Sequence, residues 1–366
     1  MITFFDFKGR HPDAARDIIR LVREQAARGE FILKSAVLDF EQRLSEHTGA
    51  RHAICTSSGT AGLALSLRGL GIGPGDEVVV PAFCYVAVAS AVVLAGARPV
   101  FADVDPERFT IDPSAVQRAI TLRTRAVLAA HVFSAIADMD GLNDALPDGV
   151  ALVEDAATAF GARDARAGAG RMGDVGVLSF FPAKPLGGLG DAGAVLTDDD
   201  ELARRVRMLR NHGQDGITRF VHHMAGHNMR MDDINARWLT ERLPGFAQEL
   251  AHKQRLAHRY DEMLTPLAPR LTLQRRGTEV FSPHAYVVRT GQRDALRAHL
   301  SARGIETRVH FGAALPDQPA FRADASDCNV PVARVLACET LALPLHPALS
   351  LHDIDVVAAA VQEFFA

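Results

Sequence analysis

Seven short apolar runs between residues 52 and 197 constrain the fold more than any other feature of this chain. They are HAICTS (52–57), DEVVVPAF (76–83), RPVFADV (98–104), RAVLAAHV (125–132), VALVEDA (150–156), VGVLSFF (175–181) and GAVLT (193–197). Stretches of helical composition, GTAGLALSLRGLG and YVAVASAVVLAG, separate the first of them. Such alternation predicts a largely parallel sheet with helices on both faces, and runs as apolar as VVV fit strands covered on both sides. In an open α/β sheet the ligand lies outside the carboxyl ends of the strands. The residues that carry chemistry are expected there.

Beyond residue 198 the pattern changes. Residues 199–211 and 232–262 read as long helices, each opened by an Asp able to cap it. SPHAYVVRT (282–290) and IETRVHF (305–311) read as strands flanking a helix over 292–303, and helices follow near 331–340 and 351–365. The chain of 366 residues therefore divides into a large domain, 1–245, and a smaller C-terminal α+β domain, 246–366. With 48% apolar and 23% charged residues and a net charge of −4, nothing in the balance points to nucleic acid or an anionic membrane. No apolar run reaches the ~20 residues of a membrane span, and the N-terminus lacks the basic and apolar regions of a signal peptide. Four cysteines without CxxC spacing fit reduced residues in a cytoplasmic protein.

Several strand ends carry unusual residues. CTSSGTAGLAL (55–65) runs through Ser-Ser-Gly-Thr into a helix, either an ordinary N-cap or an anion site for phosphate. Tyr85 follows the second run, where it either packs in the core or stacks on a planar ring. Glu154 and Asp155 end the fifth run, and strand alternation sends them to opposite faces. A carboxylate buried there needs a partner; no cluster with metal-ligand spacing accompanies it, so an Arg or a cationic ring nitrogen fits better than a metal. His222, His223 and His227 lie in a polar loop without a carboxylate at useful spacing. Lys184 stands in SFFPAKPLGGLGDAGAVLT (179–197), a run otherwise mostly apolar or glycine. An amine in such surroundings has a lowered pKa and becomes a nucleophile toward aldehydes. Together, a phosphate cradle, an aromatic, a carboxylate and a lysine match the needs of pyridoxal phosphate.

The sequence also resembles the sugar aminotransferases of the DegT/DnrJ/EryC1/StrS family, which share the fold-type-I architecture. The resemblance spans nearly the whole chain, through GEFILKSAVLDFEQRLSEHTGARHAICTSSGTAGLALSL, GIGPGDEVVVPAF, GARPVFADVDPERFTIDPSAV, VEDAATAFGA, GDVGVLSFFPAKPLGGLGDAGAVLTDDDELARRVRMLRNHGQD, HHMAGHNMR, HAYVV and LALPLHPALS. It implies Lys184 as the Schiff-base lysine and proton shuttle, Asp155 as partner of the pyridine nitrogen, and Tyr85 as the stacking ring. Gly59, Thr60 and Ser179 look like phosphate contacts. Asn228 matches a residue that reaches the neighbouring subunit's cofactor, implying a homodimer with shared active sites. Arg230 and His310 fall where the family contacts its nucleotide-sugar.

The chain departs from the family pattern at several positions. Thr158 replaces a frequent Gln near the cofactor's phenolic oxygen, and Ala135 and Ile136 replace a usual Gly and Pro. Cys84, Lys34 and Phe311 replace a Thr, a Gly and a Tyr near the expected substrate. A related subgroup with histidine at the lysine position deoxygenates its substrate, so Lys184 favours transamination. The implied reaction moves an amino group from L-glutamate to a nucleotide-linked keto-sugar, at C3 of a UDP-keto-hexuronate or a dTDP-3-keto-6-deoxyhexose. The alternatives are amination at C4 of a 4-keto-6-deoxyhexose, or a sensor that keeps the fold without catalysis.

Overall fold

The computed structural model describes residues 1–218, 220–322 and 328–366. All seven apolar runs form strands of one sheet: β1 (His52–Thr56), β2 (Glu77–Pro81), β3 (Arg98–Ala102), β4 (Thr124–Ala130), β5 (Ala151–Asp155), β6 (Val175–Ser179) and β7 (Gly193–Thr197). Their order is β1-β7-β6-β5-β4-β2-β3, and only β7 runs against its neighbours. Side-chain alternation divides the interior. Ile54, Val78, Leu128, Val153, Val177 and Val195 face one hydrophobic cluster, and Cys55, Val79, Val127, Leu152, Leu178 and Leu196 face the other. Both faces are therefore covered, which is why the strands read as unbroken apolar runs.

The register positions the strand ends. Asp155 pairs across β6 with Val177, and Ser179 pairs across β7 with Gly193, which itself faces Thr56 of β1. The carboxyl ends of β1, β5 and β6 thus lie at the same end of the sheet. Helix Gly59–Gly69 lies close on β6 because Gly62 has no side chain; a methyl there would sit 2.7 Å from Val177 Cγ1.

The C-terminal part holds a second sheet of β8 (Thr272–Leu273), β9 (Tyr286–Arg289) and β10 (Thr340–Leu343), with its own cluster running from Leu256 to Phe365. Three expectations differ. The stretch 232–262 is two helices, Asp233–Arg242 and Phe246–Leu264, interrupted by a 3-10 turn at Leu243–Gly245, because Pro244 cannot continue the hydrogen-bond ladder. Asp199 caps its helix by accepting from the Glu201 and Leu202 N–H groups, whereas the Asp232 side chain makes no cap bond. Residues 305–311 form no strand: Ile305 and Arg308 make single bridges to Ile2 and Ala342, and 340–343 takes the place beside β9.

Candidate active site

Helix Gly59–Gly69 begins at Ser58, whose Oγ accepts the Ala61 N–H at 3.1 Å. The N–H groups of Gly59 and Thr60 have no intrahelical acceptor and point out of the positive end of the helix. Space here is fitted to bare backbone. A methyl on Gly59 would lie 3.0 Å from Ser179 Cβ, and one on Gly193 would lie 2.7 Å from the Gly59 nitrogen. The result is a cradle of two free N–H groups beside the Ser179 hydroxyl, suited to a phosphate.

Glu154 and Asp155 lie on opposite faces of β5 and have different surroundings. Glu154 is 0% exposed; its oxygens accept from His131 Nε2 at 2.9 Å and from the N–H groups of Gly170, Met172 and Gly173. Ala137 N–H donates to His131 Nδ1, so the hydrogen directed at Glu154 is carried on Nε2. Glu154 is therefore a structural lock for the 168–173 loop. Asp155, 8% exposed, accepts among the described residues only the Ala157 N–H at 3.0 Å. Burial pushes its pKa up, against the nearby charge of Lys184. Among the described residues no cationic side chain forms an ion pair with it.

Lys184 is half-buried in the loop after β6, with its N–H on the Phe181 carbonyl at 2.8 Å. Burial lowers the amine's pKa while Asp155 raises it. Each group thus feels the other without direct pairing. His310 also lies within reach: burial, Lys184 and Arg308 push its pKa down to about 4. Burial and the same lysine lower His284 well below the ordinary histidine value, and among the described residues its Nδ1 has no partner.

The remaining expected residues surround this pair. Thr158 Oγ1 donates to the His131 carbonyl at 2.7 Å, leaving its oxygen lone pairs available. Ser57 N–H reaches the Met229 carbonyl at 2.9 Å, tying the cradle to the segment that carries Asn228 and Arg230. There Arg230 Nε donates to Asn228 Oδ1 at 2.9 Å. Tyr85 is 62% exposed, so its ring is not used in the core. Cys84 is buried, and Phe311 stacks on Phe133 at 5.2 Å. Phe133 has φ 60 in the turn that Ala135 closes, a left-handed conformation unusual for an aromatic. Of the loop histidines, His227 meets Arg68 and His223 meets Asp215.

Three residues with no sequence signature of their own hold the lysine loop. Asn235 Oδ1 accepts the Leu189 N–H at 3.0 Å and its amide donates to the Asp191 carbonyl; Trp238 Nε1 donates to the Gly187 carbonyl at 3.0 Å. Arg10 reaches the carbonyls of Pro182, Lys184 and Pro185. No local pattern marks these residues.

A model of the DegT/DnrJ/EryC1/StrS aminotransferase family matches residues 12–362. The chain belongs to that family. It is 36% identical over 99% of both chains to the UDP-2-acetamido-2-deoxy-3-oxo-D-glucuronate aminotransferase of Pseudomonas aeruginosa. To the dTDP-3-amino-3,4,6-trideoxy-alpha-D-glucose transaminase of Streptomyces venezuelae it is 38% identical, over 99% of this chain and 96% of the relative. The crystal structure of S. venezuelae DesV with a ketimine intermediate superposes with a TM-score of 0.94, at 37% identity over 100% of this chain and 98% of that one. The enzyme is a pyridoxal-phosphate-dependent transaminase of fold type I. Its residues fit the cofactor: two free N–H groups over side-chain-free glycines for the phosphate, a buried carboxylate without a cation, and an amine held toward its neutral form.

Proposed function

We propose that this transaminase moves an amino group from L-glutamate to C3 of a keto-sugar carried by a nucleoside diphosphate, either a UDP-linked keto-hexuronate or a dTDP-linked 3-keto-6-deoxyhexose. The observation that carries the reading is Lys184 in the site, taken with two full-length relatives whose names specify a 3-oxo or 3-amino sugar. When bound, pyridoxal phosphate supplies an aldehyde that takes up the amino group and a ring that takes up the electron pair. Gly59, Thr60 and Ser179 would hold its phosphate, and Thr158 would serve its phenolic oxygen. Asp155 would be the counter-charge to the ring nitrogen, and Tyr85 would cover the ring. Lys184, favoured as a neutral amine by burial, would accept a proton at Nζ from the substrate carbon and hold it for return. His310, neutral near pH 7, hydrogen-bonds the sugar rather than pairing with charge, and Arg230 offers a fixed cation to the diphosphate.

The working unit is a cytoplasmic homodimer in which Asn228 reaches the cofactor of the partner subunit. Exposed Tyr85, Phe181 and Asn228 beside the site support that arrangement. The small domain, 246–366, closes the substrate side. The test is a panel of UDP- and dTDP-linked 3-keto and 4-keto sugars generated in situ, with L-glutamate as donor and the product position read by NMR. Turnover of a 3-keto sugar to its 3-amino product supports the reading. Turnover confined to 4-keto sugars overturns it.

A further inference from the structure

We propose that Arg10 is a positioning residue for Lys184, its guanidinium fixed by Glu249 so that it sets the backbone of the lysine loop and hence the direction of the amine. Arg10 ends a short helix, Phe7–Arg10, some 174 residues from the loop it holds. A guanidinium has five N–H donors, and here they make five bonds. Nη1 donates to the carbonyls of Pro182 at 3.2 Å and of Lys184 itself at 3.0 Å; Nη2 donates to that of Pro185. Nε and Nη2 together grip the two oxygens of Glu249, at 3.1 and 2.5 Å. The Arg10 side chain is 5% exposed, so these bonds are sheltered from water.

The loop has little else to hold it from within. The Lys184 N–H to Phe181 carbonyl bond and the Gly188 N–H to Phe180 carbonyl bond are its own backbone links. Pro182 and Pro185 lack N–H groups altogether. Without Arg10 three carbonyls would be left in a half-buried segment, which costs free energy unless the backbone moves. Gly187 leaves room for the arrangement: a methyl there would stand 2.3 Å from the Pro182 carbonyl oxygen and 3.0 Å from Arg10 Nη1. Glu249 lies on helix Phe246–Leu264, so one charge pair joins the N-terminal segment, the lysine loop and the C-terminal part. A lysine at position 10 would bring three donors and no planar fork to five acceptors.

Amide hydrogen exchange, read by mass spectrometry on the cofactor-free and cofactor-loaded enzyme, tests this for R10A, R10K and E249Q. The expected result is exchange faster by tenfold or more over residues 181–189, with β4, β5 and β6 still protected. The pH midpoint of the bound cofactor's visible absorbance should shift in R10A and R10K alike, with E249Q between them and the wild type. Unchanged exchange over 181–189 in R10A would overturn the proposal. So would R10K matching the wild type in both readouts, or loss of protection spread equally through β4–β6. If R10A fails to fold, R10K and E249Q decide by the same criteria.

Discussion

Adjacent residues of the same chemistry, Glu154 and Asp155, have opposite roles because a strand turns them to opposite faces. Glu154 is saturated by a histidine and three backbone N–H groups, and Asp155 is left with one. Lys253 shows what a buried charge costs where the described residues supply no such partners. Burial and the neighbouring Arg10 lower its pKa to about 7, with Glu249 opposing. Its folded pKa lies below the unfolded one, so between about pH 7 and the ordinary lysine range the unfolded chain binds more protons. Stability then rises with pH through that window. Lys253→Met should therefore stabilise the protein by a few kcal/mol near pH 6, and the gain should shrink by about pH 9.5. Urea unfolding at the two pH values checks this, and an equal gain at both contradicts it. Lys184 was legible in the sequence because a cation in an apolar, glycine-rich run is locally anomalous. Arg10 and Asn235 were not, because arginine on a polar segment and asparagine on a helix are ordinary until the fold brings distant carbonyls to them.

At the level of elements, the seven sheet strands were readable because burial on both faces leaves each an unbroken apolar run. The second sheet was harder. Residues 340–343 follow directly on helix Pro331–Glu339 and look like its apolar continuation, while 305–311 has strand-like composition but only single bridges. The register of β1, β7 and β6 could not be read locally, although it builds the cradle at the start of helix Gly59–Gly69. Gly193 is the tightest glycine of that cradle. A methyl there would lie 2.5 Å from the Ser58 carbonyl carbon, against backbone that cannot rotate away. Gly193→Ala should push the start of helix Gly59–Gly69 off the sheet, at a cost of about 1–3 kcal/mol. The affinity for pyridoxal phosphate should fall about tenfold or more, as measured by absorbance titration. An unchanged affinity would show that the cradle does not depend on that contact.

Across the whole molecule, segments from every part of the chain meet at Lys184. The N-terminal helix supplies Arg10, β1 leads to the phosphate cradle, and β5 delivers Asp155. The loop after β6 carries the lysine, helix Asp233–Arg242 holds that loop through Asn235 and Trp238, and His310 comes from the C-terminal part. In this setting we propose that Lys184 performs the proton transfers of transamination. Loading the purified enzyme with pyridoxal phosphate and adding L-glutamate alone tests this. The wild type should lose its yellow colour and release one 2-oxoglutarate per site, while Lys184→Ala should be slower by about 10²–10⁴-fold. A Lys184→Ala variant that bleaches and releases 2-oxoglutarate at the wild-type rate would contradict the account.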